Sequence, residues 1–442
     1  MKKTPSGCAG YQSISRRSAL KIGSLAGGLT LGQMLRLEAA LKDYKTVEGP
    51  AKNVIQIRLG GGVAAQESWN PKPESPLEYR GPFGVSKTPI PGIVLGELMP
   101  ETAKIADKLT VVRSVVGKIP DHGQAMYHVL RGYPMTPALK HPTIGTVVNH
   151  EFQPRSALPT YVAIGNAKDE TGYLGAQHGP FTTGSDPASS AFQIRDLTLP
   201  NGLNLEAFES RKRVREAINA EFRKLESSQA PLDTMDAYYQ KAYEMISSPE
   251  VREAFDLSKE SDKVKDAYGR GMFEKAGSQA GMRMLLARRL VEAGVRFVSM
   301  SYGEWDHHTA IKTNFELNMP AFDRAFATLI NDLDDRGLLD STLVWVVSEM
   351  GRTPKVNQVA GRDHWSRVFS LAMAGGGLKR GAFYGDSDAT SSDVASNGVP
   401  LADLHTTLYK MIGINADKEL MAAGNRPMEI IDGGKVVEDI LA

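Results

Sequence analysis

The stretch TLVWVVSEMGR, residues 342–352, decides the predicted fold. Residues 342–348 are nearly continuous in apolar and β-branched side chains, which is typical of a strand buried on both faces of a parallel sheet. The polar residues Glu349 and Arg352 follow directly after this run. Because ligands bind beyond the carboxyl ends of the strands in an open parallel sheet, the stretch predicts a fold and also the edge at which a site would lie.

Other short apolar runs predict the rest of the sheet. Segments with helical spacing separate them, for example Phe322, Phe326 and Leu333 ahead of the helix-closing Gly337. This alternation of strands and helices favours a doubly wound α/β fold with a mostly parallel central sheet. The additional strands are predicted over residues 54–59, 109–112, 161–164, 295–301 and 369–374.

A long helical segment interrupts the alternation between the third and fourth strands. Residues 205–292 are rich in Glu, Lys, Arg, Ala and Met and read as helix almost throughout. We interpret them as a mainly helical insertion. It either caps one side of the sheet or adds crossover helices to the same core.

The first 40 residues read as a twin-arginine export signal. Lys2 and Lys3 precede the pair Arg16 and Arg17, a glycine-rich apolar run follows, and small residues end the segment. An ordinary N-terminal helix with two basic residues is the alternative. The apolar run is too short and too rich in Gly for a stable membrane span. We expect the twin-arginine translocase as a partner, a periplasmic or secreted product, and a functional domain over residues 46–442.

Composition excludes several kinds of site. The formal net charge is +1, and the chain lacks the basic run expected of a nucleic-acid-binding surface. Cys8 is the only cysteine and lies in the predicted signal, so the mature protein has no disulfide, thiolate ligand or cysteine nucleophile. Any metal ion must therefore be held by Asp, Glu, His or Asn side chains.

Histidines and carboxylates cluster just after the predicted strands. Neutral imidazole with carboxylate is the ligand set of Zn, Mn, Fe and similar ions. Two facing groups of such ligands could hold two ions, which together stabilise the attacking and leaving oxygens in phosphate or sulfate ester hydrolysis. A single Asp–His pair is also explained by a loop hydrogen bond. The clustered residues are Asp121, His122, Asp306, His307, His308, Glu349, Asp363 and His364.

At these residues the sequence resembles the uncharacterised domain family 1501 (DUF1501), within the alkaline-phosphatase-like and sulfatase-like superfamily. The resemblance covers nearly the whole chain, and its last three motifs are, in combination, specific for the family. The motifs are GGG (60–62), PKP (71–73), LTVVRS (109–114), DHG (121–123), LRGYP (130–134), YLG (173–175), WDHH (305–308), SEMGRTP (348–354) and GRDHW (361–365).

The resemblance implies a three-layer α/β sandwich with a two-metal site. The superfamily has an acid after the first strand, then a nucleophile, an Asp and a His, an Asp–His pair and a last His. The positions that match the metal ligands in this order, with one acid beside the last, are Glu67, Asp306, His308, Glu349, Asp363 and His364.

The sequence departs from the superfamily pattern at its first site and at the nucleophile. Glu67 and Ser68 stand where the family usually has Asp and Thr, and Asn70 replaces a second Asp. Met350 occupies a position that is often a metal-binding His. The nucleophile position falls near His122 and carries no Ser, Thr or Cys, so formylglycine chemistry is excluded.

We therefore predict an exported hydrolase of phosphate or sulfate esters that uses one or two divalent ions (Zn, Mn, Fe or Ca). Its substrate would be a small anionic ester or a polysaccharide-derived one. Metal-bound water or Ser68 would attack, Asp121 and His122 would contact substrate or transfer protons, and Arg352 would neutralise an ester oxygen. The alternative is a non-catalytic metal-binding or structural protein that kept the hydrolase fold.

Overall fold

The computed structural model of the protein contains a nine-stranded sheet with helices on both faces. The structure describes residues 46–165, 169–189, 245–272 and 278–442, together with residues 192, 194, 210 and 213. The strands are β1 (Asn53–Arg58), β2 (Val85–Lys87), β3 (Val94–Gly96), β4 (Leu109–Val116), β5 (Tyr161–Ala163), β6 (Phe181–Thr182), β7 (Phe297–Ser301), β8 (Thr342–Val347), β9 (Gly351–Arg352), β10 (His364–Trp365), β11 (Phe369–Ala374), β12 (Ala382–Tyr384), β13 (Asp386–Ser387), β14 (Val394–Ser396), β15 (Val399–Pro400), β16 (Glu419–Ala422) and β17 (Arg426–Glu429).

Helices of very different length connect these strands. The α-helices are α1 (Leu77–Arg80), α2 (Pro100–Lys104), α3 (His122–Arg131), α4 (Ile144–Glu151), α5 (Pro249–Phe255), α6 (Asp262–Ala267), α7 (Ser278–Glu292), α8 (Ile311–Asp335) and α9 (Leu401–Ile412). Short 3-10 helices lie at Ala65–Glu67, Ala106–Lys108, Gly172–Leu174, Ala176–His178, Leu257–Lys259, Leu339–Ser341 and Glu438–Ile440.

The central sheet is mostly parallel, which confirms the predicted fold class. Its strand order is β12-β4-β11-β8-β1-β7-β5-β6, and β15 also pairs with β4. Strand β1 is parallel to both β7 and β8, so Val54 lies between Phe297 and Leu343. Every residue of β1 is buried, as expected of a central strand in a parallel sheet with both faces covered.

Strand β11 alone among the paired strands of this sheet runs against its neighbours. It is antiparallel to both β4 and β8. The connection from β8 to β11 contains the two-stranded β9–β10 ribbon but no helix. A parallel neighbour is usually reached by a crossover through a helix, whereas this helix-free connection returns the chain in the opposite direction.

Two apolar cores enclose the sheet and give the molecule three layers. On one face α7 and α8 pack against alternate strand residues such as Ile55 and Val344. On the other face α3, α4 and α9 pack against the residues between them, such as Val54 and Trp345. Successive strand side chains point to opposite faces, so a fully apolar strand supplies both cores at once.

The described part of the predicted insertion is helical. It contains α5, α6 and α7, and α7 leads directly into β7 as a crossover helix packed on α8. Most of residues 205–244 and the whole predicted signal, 1–40, lie outside the described residues. Among the described helices, none combines the length and the apolar character needed to cross a membrane.

Candidate metal centre

The polar side chains of the site lie at the edge of the sheet where its parallel strands have their carboxyl ends. Asp306 and His308 follow β7, and Glu349 follows β8. His122 is the first residue of α3, which follows β4, and His364 lies on β10. The topology therefore brings residues more than 200 positions apart to one edge of the sheet, the edge where open α/β folds bind ligands.

Four side chains, His122, Asp306, His308 and His364, form one cluster of potential metal ligands. One donor atom from each lies within 4.8 Å of the others. The Nε2 atoms of His308 and His364 are 3.0 Å apart, and they lie 3.0 Å and 3.3 Å from Asp306 Oδ1. A tetrahedral zinc ion with bonds of about 2.0 Å separates its ligand atoms by about 3.3 Å. These three donors therefore have the spacing of one face of such a tetrahedron.

Each imidazole of the cluster is held through its other ring nitrogen. Nδ1 of His308 lies 2.7 Å from Asp363 Oδ1, and Nδ1 of His364 lies 2.7 Å from the carbonyl oxygen of Pro120. Nδ1 of His122 lies 2.9 Å from Glu349 Oε1. Carbonyl and carboxylate oxygens only accept, so these contacts place the proton on Nδ1 and leave Nε2 free for a metal ion.

Arg352 fixes the carboxylate of the cluster. Its guanidinium donates to Asp306 Oδ1 and to the carbonyl oxygens of Gly61, Gly62 and Arg362. Burial by itself would raise the pKa of Asp306, but the hydrogen bond and charge of Arg352 outweigh burial and lower that pKa to about 2. Asp306 is therefore ionised at neutral pH and can act as a metal ligand.

Glycines allow the loops of the site to approach one another. Gly61 has a φ of +107°, and a Cβ built there would lie 2.4 Å from the backbone nitrogen of Asp306. A Cβ on Gly361 would lie 2.0 Å from the carbonyl oxygen of His308. Only glycine permits these two contacts, so both glycine motifs set the position of the Asp306–His308 loop.

A family model matches residues 51–441 and describes a protein of unknown function, DUF1501. The chain belongs to the DUF1501 family. No curated protein sequence matches it.

Several solved structures are similar to this DUF1501 protein at low sequence identity. The protein Ps i-CgsB is 12% identical, with a TM-score of 0.41 over 84% of this chain and 73% of its own. The lipoteichoic acid synthase LtaP from Listeria monocytogenes is 10% identical, with a TM-score of 0.38 over 84% of this chain and 74% of its own. A protein of the alkaline phosphatase superfamily from Vibrio parahaemolyticus is 11% identical, with a TM-score of 0.38 over 84% of this chain and 68% of its own.

Three residues singled out in the sequence lie outside the cluster in this DUF1501 protein. The carboxylate of Glu67 pairs with Arg362, and both side chains are fully buried. Ser68 is fully buried and donates to the carbonyl oxygen of Ala64. Asp121 caps α3 by accepting the backbone N–H of Gln124. Each side chain thus has a structural partner of its own.

The Asp-His-His motif divides between the site and the core. Asp306 and His308 face the cluster, whereas His307 packs between Trp305 and Phe315. Burial lowers the pKa of His307 to about 4, and its Nε2 donates to the carbonyl oxygen of Glu304. Sequence spacing alone does not distinguish these two histidines.

The structure also separates the predicted site residues into those within the cluster and those that contact its imidazoles from outside. His122, predicted to contact substrate, lies in the cluster, with Nε2 3.2 Å from Asp306 Oδ2. Glu349 and Asp363, predicted as ligands, contact the Nδ1 atoms of His122 and His308 from behind. The available signal for His122 was its place at the start of a helix that follows a strand, since such a position faces the ligand edge of the sheet.

Proposed function

We propose that this protein is a metal-dependent hydrolase of phosphate or sulfate esters in which His122, Asp306, His308 and His364 hold a divalent ion. The observation that supports this proposal most directly is a triangle of three donor atoms beyond the strand ends. His308 Nε2, His364 Nε2 and Asp306 Oδ1 form it, with sides of 3.0, 3.0 and 3.3 Å. Three imidazoles with one carboxylate suit zinc, and also manganese or iron.

The residues around the ligands have distinct roles in this proposal. Asp363 and Glu349 orient His308 and His122, and Arg352 holds Asp306 in place. An ion held here would supply Lewis-acid activation of the ester and of water. The side chains of Asp306 and His308 are 41% and 42% exposed, so a substrate can reach the site directly from solvent.

Metal content and ester turnover test the proposal together. The mature protein, folded with Zn or Mn, is analysed for bound metal and assayed on chromogenic phosphate monoesters, phosphate diesters and a sulfate ester. His308→Ala is expected to lose at least tenfold in metal affinity and to lose turnover. His128→Ala, on the same helix as His122 but outside the cluster, should retain both. Full metal content in the His308→Ala variant would refute the ligand assignment.

A non-catalytic metal-binding protein is the second candidate, favoured by the placement of Ser68. Its hydroxyl is buried and bonded to Ala64, so it is not presented to the cluster as a nucleophile. Stoichiometric metal without turnover of any of the three ester classes would support this candidate over the hydrolase.

Export of the protein through the twin-arginine route is also proposed, from the order of basic, apolar and small residues over positions 1–40. Replacement of Arg16 and Arg17 by Lys tests it. We expect the variant to remain inside the inner membrane, while the unchanged chain reaches the periplasmic fraction. Equal export of both chains would contradict the twin-arginine assignment.

A further inference from the structure

The guanidinium that contacts the cluster is not available to a substrate. Arg352 donates to three carbonyl oxygens and to Asp306, and its side chain is only 1% exposed. Among the described residues, no other Lys or Arg forms an ion pair with Asp306, Glu349 or Asp363. The positive charge of Arg352 is therefore used within the protein.

Carboxylates outnumber this guanidinium at the site. Asp306 lies in the cluster, and Glu349 and Asp363 each contact one of its imidazoles. Glu349 Oε2 is buried and has no hydrogen-bond partner. The Asp363 side chain is 55% exposed and contacts Nδ1 of His308, the ring nitrogen that does not face the other cluster ligands. One buried carboxylate and one solvent-exposed carboxylate thus lie directly behind the imidazoles of the cluster.

The charges of these groups can be counted directly. Asp306, Glu349 and Asp363 contribute −3 and Arg352 contributes +1, which gives −2 with neutral imidazoles. An imidazole must be neutral to bind a metal ion. A divalent ion then brings the site to zero. A substrate with two negative charges would then give the site a net negative charge, because the charge of Arg352 is already used by Asp306.

From this charge balance we infer that the site acts on tetrahedral esters with a single negative charge at the reacting group, namely phosphate diesters or sulfate monoesters, rather than on phosphate monoesters. This inference rests on the proposed hydrolase function. A phosphate monoester carries close to two negative charges at pH 8, because its second pKa is about 6. Diesters and sulfate monoesters keep one charge at that pH.

The test compares three leaving-group-matched substrates at pH 8 with the metal-loaded mature protein. They are bis(4-nitrophenyl) phosphate, 4-nitrophenyl sulfate and 4-nitrophenyl phosphate. We expect kcat/KM for the diester or the sulfate to exceed that for the monoester at least tenfold. Whichever of the two reacts faster shows whether the monoanionic group of the substrate is a phosphate diester or a sulfate monoester. Equal or faster turnover of the monoester overturns the inference and leaves the hydrolase function standing. Absence of turnover on all three contradicts the proposed function itself.

A charge-removing variant tests the physical reason. Asp363→Asn keeps the shape and the acceptor for His308 but removes the exposed charge, so the ratio of monoester to diester kcat/KM should rise several-fold. A merely structural role for Asp363 would lower both values and leave the ratio unchanged, which would refute the electrostatic argument. Asp340→Asn, at a carboxylate 85% exposed and ion-paired with Arg380, is the control for the substitution and should not alter the ratio.

Discussion

Glu67 and Arg362 form an ion pair from which solvent is fully excluded. Nη2 of Arg362 lies 2.7 Å from Glu67 Oε1, and its Nε lies 3.0 Å from the same oxygen. The guanidinium also donates to the carbonyl oxygens of Tyr79, Thr353 and Pro354. The pair joins the turn after β1 to the loop that carries His364, so it positions the site without contributing a donor to the cluster.

Neutralising Glu67 should therefore affect folding more than metal binding. Glu67→Gln leaves the Arg362 charge buried without a counterion, which costs about 3–5 kcal/mol of unfolding free energy. Urea denaturation measures this loss, and elemental analysis of the folded variant should show metal content unchanged. The double variant Glu67→Gln/Arg362→Met should recover much of the stability, because no unpaired charge remains. A folded, stable Glu67→Gln protein without metal would instead make Glu67 a ligand.

Helices α3 and α9 meet below the site through one buried histidine. His405 of α9 is fully buried, and its Nε2 donates to the carbonyl oxygen of Val129 in α3 at 2.8 Å. Its Nδ1 is buried without a partner. Burial lowers the pKa of His405 to about 4, despite the opposing hydrogen bond to Val129. The contact between the two helices therefore depends on a neutral imidazole.

This contact should weaken in acid. The unfolded chain binds a proton at His405 near pH 6.5 and the folded chain only near pH 4, so the contribution is complete above pH 6.5 and is lost as the pH falls toward 4. The full loss is on the order of 3 kcal/mol. His405→Gln retains a donor for Val129 but does not titrate. In metal-free protein, urea denaturation at pH 7 and pH 5 should show a smaller loss of stability for the variant. Identical losses for both proteins would rule out His405 as a source of acid sensitivity.

At the scale of the whole molecule, the candidate metal centre joins three distant segments of chain. Its donors come from the start of α3, the loop after β7 and the β9–β10 ribbon. The unfolded chain cannot hold these side chains together, so an ion bound at this site binds only the folded protein. Such binding adds to the free energy of unfolding in proportion to the logarithm of the metal concentration.

Metal should therefore stabilise the protein measurably. At a free metal concentration of 100 times Kd the gain is about 2.7 kcal/mol, which raises Tm by a few degrees. Thermal unfolding with ZnCl2 and with a chelator measures the difference. His364→Ala should abolish it, while His128→Ala should show the full shift. An equal shift in the His364→Ala variant would place the responsible ion elsewhere.

The sequence by itself determined the strands and the edge at which chemistry could occur. Most of the predicted strands are nearly continuous in apolar residues, which indicates burial on both faces, and all six occur in a mostly parallel sheet. The rule that ligands lie beyond strand ends then indicated a group of polar residues that includes His122, Asp306 and His308. The family resemblance added the expectation that Asp306, His308 and His364 are metal ligands.

Only the tertiary structure decided which polar side chains meet. The helix-free connection after β8 reverses β11, and this long-range effect is invisible in the apolar character of the strand. Packing sends His307 into the core and pairs Glu67 with Arg362, although the local sequence treats both as candidate ligands. His122 meets Asp306 only because two strands far apart in the chain end at the same edge of the sheet. Residue type and position relative to a strand are local properties, whereas the distance between two donor atoms is a property of the packed molecule.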